Sequence, residues 1–291
     1  MTRPVPPWAA TLAIIGALLM GVPLVALMLR VPWLDVPLLL VSPAAVDALW
    51  LSLRTCLAST VLCLLLGLPL ALALSRLRGR WMAIGRVLAT VPMVLPPVVA
   101  GLALLVTFGR RGLIGQVLSL GGIEIGFTTI AVVVSQTFVA MPFLVVAVEG
   151  ALRSVDGDAE LMAATLGAGP SRVLWQVTVP ALRPAIVSGT SLAAARALGE
   201  FGATVTFAGS LQGTTRTLPL EIYLQREVDT DTSLALAAVL IGLAALLVLA
   251  TGVLGRSRGG ARSDGPSRSG GVTRSDRRSG NGLPTVSGGA A

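Results

Sequence analysis

Lysine and histidine are both absent, so all 22 basic residues of this 291-residue chain are arginine. Without lysine there is no P-loop lysine to hold a nucleotide phosphate, which excludes an ATPase of that kind. Without histidine there is no Ser-His-Asp triad, and the commonest metal-ligating side chain is missing. No nucleophile–base pair and no metal-ligand cluster stands in the sequence, so no catalytic residue, metal or cofactor is expected. Cysteine is scarce too. Cys56 and Cys63 lie in one apolar run. Their spacing puts them on one helix face about two turns apart, too far to bridge. Two inert buried thiols are the expectation.

Charge is the third scarcity. Only 12% of residues are charged and 54% are hydrophobic, against about 25% charged in a soluble domain. So few charges cannot cover a water-facing surface, and the chain reads as an all-α integral membrane protein in a lipid bilayer. Apolar stretches of roughly 20 residues occupy residues 8–29, 48–75, 87–109, 125–148, 184–207 and 232–255, which predicts about six transmembrane helices. The first is too long for the core of a secretory signal and is expected to be an anchor helix. Residues 1–46 then form that anchor and a first outer loop, 47–255 the main membrane domain, and 256–291 a separate tail.

Arginine placement suggests the orientation. With the N-terminus inside, Arg3, Arg76, Arg78, Arg80, Arg86, Arg153, Arg172, Arg183 and the tail arginines are cytoplasmic. The smaller set of Arg30, Arg54, Arg110, Arg111, Arg216 and Arg226 is then outside. Both termini are therefore expected in the cytoplasm. The tail is mostly Gly, Ser and Arg and lacks the apolar residues for a core, which predicts disorder. Its arginines have no interleaved aromatics, so nucleic-acid binding is not expected.

Polar residues stand out against this background. Residues 149–183 form the longest cytoplasmic loop. Residues 158–166 have helical periodicity, Gly167 and Gly169 stop that helix, and Pro170 suits the start of a second over 171–177. Pro180 and Pro184 are expected to end it and begin the next span. Two short helices around a glycine hinge make a compact knob, with Ala163, Ala164 and Gly167 at its apex. It is either a docking element or an ordinary interfacial helix. In the fifth span Arg196 and Glu200 are four apart and share a helix face, which Thr204 continues. A charge at membrane depth costs about 2.5–3.5 kcal/mol, so the pair faces protein or water. It either locks two helices or lines a polar pathway. Ala185, Gly189, Ala193 and Ala197 form a small-residue row suited to close helix packing. In the third span Pro92, Pro96 and Pro97 break the backbone ladder, giving a fixed kink or a cavity wall.

The segments ELMAATLGAG and VTVPALRPAI resemble the coupling loop of the membrane subunits of ATP-binding cassette importers. Gly167 stands at the family's glycine and Pro180 at its proline. Leu161 occupies the glutamate position and Met162 the first alanine, with Glu160 one residue earlier. Residues 90–115, 195–209 and 213–223 are similar to molybdate permeases and, next, to sulfate/thiosulfate permeases. The resemblance covers about residues 47–255. It implies the type I importer fold and a homodimer that carries molybdate or tungstate, with sulfate as the alternative. Two separate ATP-binding cassette subunits and an extracytoplasmic binding protein are implied as partners. By position, it places Glu160, Ala163, Ala164, Gly167 and Pro180 in coupling to the ATPase. Pro92, Pro96, Pro97, Arg196, Glu200 and Thr204 would line or gate the path, with Thr206 a further hydroxyl donor. A secondary transporter would show internal repeats and a titratable relay, and neither is evident.

Overall fold

A computed structural model describes residues 6–154 and 157–256. Among the described residues every regular element is helical: α1 (Pro7–Arg30), α2 (Val36–Leu40), α3 (Pro43–Leu62), α4 (Leu68–Arg76), α5 (Gly79–Val94), α6 (Pro97–Phe108), α7 (Gly115–Leu120), α8 (Thr129–Ser154), α9 (Asp158–Thr165), α10 (Pro170–Val173), α11 (Val179–Leu198), α12 (Gly202–Ala208), α13 (Leu218–Val228) and α14 (Thr230–Arg256). The expected tail lies outside the described residues.

Proline writes many of the helix starts. Pro7, Pro43, Pro97, Pro170 and Pro219 sit in first turns, where an N–H has no intrahelical acceptor to lose. Ser42 adds a cap to α3 by accepting the Ala45 N–H at 3.3 Å. At two points a proline follows a π-turn that continues the helix instead of ending it. A π-turn at Cys63–Gly67 joins α3 to α4 just before Pro69, and another at Leu174–Thr178 joins α10 to α11 just before Pro180. The wider turn absorbs the missing N–H and the ring in a setting where a bare carbonyl is costly. The expected helix end at Pro180 and Pro184 is thereby corrected. The chain is helical without interruption from Pro170 to Leu198, and Pro184 lies inside α11.

Among the described residues four helical stretches are long and apolar enough to cross a membrane: Pro7–Arg30, Pro43–Arg76, Thr129–Ser154 and Thr230–Leu249. The pair α5 and α6 passes the same test only when joined, across a break bent by 116°. Pro96 stands at that break and Pro97 opens α6, so the predicted kink is a full change of direction. The apolar stretch 184–207 is not one helix either. It stops at Leu198 and resumes at Gly202.

The core is organised around α8, which packs against α11, α3, α4, α5 and α12. Gly189 of the small-residue row lies against Ala147 and Leu144, and Ala193 and Ala197 are fully buried. Cys56 and Cys63 are free and buried as expected. Their thiols point at the carbonyls of Ala194 (3.4 Å) and Thr137 (3.9 Å). Helix α1 leans on α14 and buries no residue.

Candidate coupling knob and translocation break

The knob is built from one helix ending. Gly167 has φ +83°, a conformation that costs an L-residue about 1–2 kcal/mol. Its N–H bonds to Ala164 O and the Ala168 N–H to Ala163 O, both at 3.0 Å. That is the paired bonding of a Schellman cap. The two alanines and the glycine therefore work as one motif: two supply carbonyls and the third supplies the left-handed turn. Leu161, Met162 and Leu166 are exposed around it, an apolar surface on a projecting element. Glu160 turns inward instead, its Oε1 accepting the Thr178 hydroxyl at 2.5 Å. This bond ties α9 to the π-turn that begins the long arm. Beneath it lies a cavity of about 220 Å³ lined by Ser75, Arg76, Arg153, Glu160 and Thr178 among others.

At the far end of the arm, Arg196 and Glu200 form the expected pair, Arg196 Nη1 lying 2.5 Å from Glu200 Oε2. No donor hydrogen is aligned on that oxygen, which makes no hydrogen bond, so the contact is an ion pair by distance alone. The other oxygen, Oε1, accepts the Ala203 N–H at 2.9 Å. Glu200 is thus also the cap of α12, a carboxylate at a helix N-terminus. The glutamate is 1% exposed and the arginine 30%, so only the arginine reaches outward from the pair.

The two broken spans meet at their breaks. A Cβ on Gly202 would stand 2.4 Å from Pro97 Cβ, and one on Gly101 would stand 2.6 Å from Thr206 Cβ and 2.8 Å from Ala203 O. Helices α6 and α12 are therefore in backbone-close contact, with Pro97, Glu200 and Thr204 gathered there. Pro92 lies inside α5, on the other side of the bend. The Phe201 ring lies tilted at 51° against Tyr223 of α13, with ring centroids 5.1 Å apart, a further contact that holds the break. Thr206 donates to Gly202 O at 2.9 Å. Thr204 Oγ1 is buried with no hydrogen-bond partner.

Two buried carboxylates escaped sequence reasoning. Glu149 is clamped by Arg86 at 2.6 Å and by Arg153 at 3.2 Å, which pins α5 to α8. Glu221 receives Arg216 at 3.4 Å and the Gln225 amide at 2.7 Å. Arg216 also reaches Ser210 Oγ at 3.2 Å, while Thr215 Oγ1 accepts the Leu211 N–H at 2.9 Å and Ser52 Oγ the Leu218 N–H at 2.6 Å. Residues 215–219 are thus a stapled segment. A signal for Glu149 existed: arginine stands four residues later, the spacing of a helical ion pair.

The family described as "Binding-protein-dependent transport system inner membrane component" matches residues 64–256. The chain belongs to that family. It is a membrane-embedded permease component of a transport system, not an enzyme. The permease is 55% identical over 247 residues to the "Molybdenum transport system permease protein ModB" of Mycobacterium tuberculosis, covering 85% of this chain and 94% of that one. It is 36% identical over 220 residues to the "Sulfate transport system permease protein CysW" of Synechococcus elongatus, covering 75% and 76%. Among solved structures, a bacterial ABC transporter involved in import of the acidic polysaccharide alginate matches with a TM-score of 0.65. It has 17% identity and covers 87% of this permease and 96% of that chain. This last likeness concerns the fold.

Proposed function

We propose that the permease carries molybdate inward as a homodimer, with ATP hydrolysed by two separate cassette subunits docked on the α9 knobs. A molybdate-binding protein delivers the anion from outside, and both termini lie in the cytoplasm. One observation carries the mechanical part. The knob connects through one unbroken helix, Pro170 to Leu198, to the break at Gly199–Phe201 that touches the bend of α5 and α6. A push on Leu161, Met162 and Leu166 travels along a stiff rod to the place where both spans are already broken. Glu160 serves this by fastening the knob to the rod, and Pro180 by sitting where the π-turn joins. At the gate, Arg196, Glu200, Thr204 and the prolines Pro92, Pro96 and Pro97 would shape the path.

Molybdate rather than sulfate is supported by likeness over nearly the whole length of the molybdenum relative, against a lower identity over three quarters of the sulfate relative. The test is reconstitution with the cassette subunits and binding protein, measuring uptake and stimulated ATPase activity with molybdate, tungstate and sulfate in parallel. Molybdate should drive both. Sulfate driving both, with molybdate inert, would overturn the anion assignment.

A further inference from the structure

Helix α12 meets its two neighbours on different terms. Toward α6 the backbones approach closely at Gly101, Pro97 and Gly202. Toward α8 the contacts are apolar at both ends. Val132 and Ala131 pack with Phe207 and Ala208, and Val139 packs with Ala203. By helical register, Gln136 of α8 and Thr204 of α12 fall between these two sets of contacts. Gln136 is one turn from Val132 and from Val139; Thr204 is beside Ala203 and one turn from Ala208. Gln136 is 1% exposed and Thr204 0%. Gln136 Nε2, Gln136 Oε1 and Thr204 Oγ1 all lack a hydrogen-bond partner.

Burying an amide unpaired is costly, so something must meet these groups. Both a donor and an acceptor of the same amide are open, and the hydroxyl can serve as either. A deprotonated tetrahedral oxyanion offers only acceptors and would leave the amide oxygen facing negative charge. Water donates and accepts, and it is held by two to four polar partners in such sites. We propose that water is bound between Gln136 and Thr204, and that this wet seam is the plane across which the joined α6–α12 unit slides against α8. Water-mediated bonds can be exchanged as the helices shift without stranding a polar group. The sliding part rests on the importer reading; the hydration does not.

The experiment compares the full complex with a variant carrying Gln136→Met and Thr204→Val, which keeps the shapes and removes the polarity. Melting temperature should rise by a few degrees, and ATP-driven uptake should fall several-fold with cassette association intact. A high-resolution map of the unaltered complex should place solvent density between the two side chains. Direct bonding of Gln136 to Thr204 without solvent, or a lowered melting temperature in the double variant, would overturn the hydration. Uptake at the unaltered rate in a stabilised variant would overturn the sliding plane. Failure of the anion assignment has a separate signature: no molybdate uptake by the unaltered complex, with the melting shift and density still present.

Discussion

Pro97 and Gly202 belong to different broken spans, yet the ring of one fills the space where the other would carry a side chain. The contact joins the two interruptions into a single mechanical feature. Gly202→Ala therefore forces an overpacked junction, at a cost of about 1–3 kcal/mol. Melting of the purified complex should occur at lower temperature and uptake should fall. Adding Pro97→Gly should recover part of the stability by vacating the ring's Cβ. A single variant as stable as the original would mean that the junction gives way freely.

Arg196 and Glu200 act as a unit. Losing one partner of a buried pair costs about 3–5 kcal/mol, here toward the lower end because the arginine is partly exposed. Glu200→Gln keeps an acceptor for the Ala203 N–H but strands the arginine. It should reduce membrane abundance or uptake more than the Arg196→Met, Glu200→Gln double variant does. The double-mutant cycle is read on both quantities. Additive losses would show that the two residues act separately and would free Arg196 to meet the anion.

At the knob, Gly167→Asp should sharply reduce co-purification of the cassette subunit while membrane abundance stays near normal. Gly167→Asn separates the causes, because asparagine tolerates the left-handed turn and brings no charge. Association should survive in it far better. Full association and normal uptake with aspartate in place would remove the docking assignment.

Asp229 opens α14. Its carboxylate accepts the Thr232 hydroxyl and the Asp231 N–H, and the hydroxyl above all holds its pKa below the usual carboxylate value. A depressed folded pKa contributes stability above the unfolded pKa, and the contribution is lost as pH falls through the folded value. The stability gap between the original and Asp229→Ala should therefore be full at neutral pH. It should close as pH drops below about 3.9. Thermal melts across that range check the sign, and a gap that widens on acidification would contradict it.

Hydropathy located four of the six expected spans as long apolar helices, and Gly167 was legible because a glycine after a short periodic run signals a left-handed cap. The break at Gly199–Phe201 was not legible. Residues 184–207 read as one apolar run, with no proline at the interruption to announce it. What interrupts the helix is tertiary: Glu200 turning to cap α12, Phe201 lying tilted against Tyr223, and Gly202 seated under Pro97. The Arg86 partner of Glu149 was hidden for a related reason, since it approaches from a remote helix. Gln136 drew no attention because one amide in an apolar helix is unremarkable until its neighbours are known.

The π-turn at Leu174–Thr178 also sets an angular offset. It fits one extra residue into a helical turn, which rotates everything beyond it by about 100° relative to an unbroken α-helix. Azimuth is thus stored in the arm. Removing one residue from that turn would restore regular winding and swing the knob a quarter-turn or so around the rod axis, with every side chain of both ends unchanged. A permease altered in this way would present Leu161, Met162 and Leu166 in the wrong compass direction while keeping its chemistry intact.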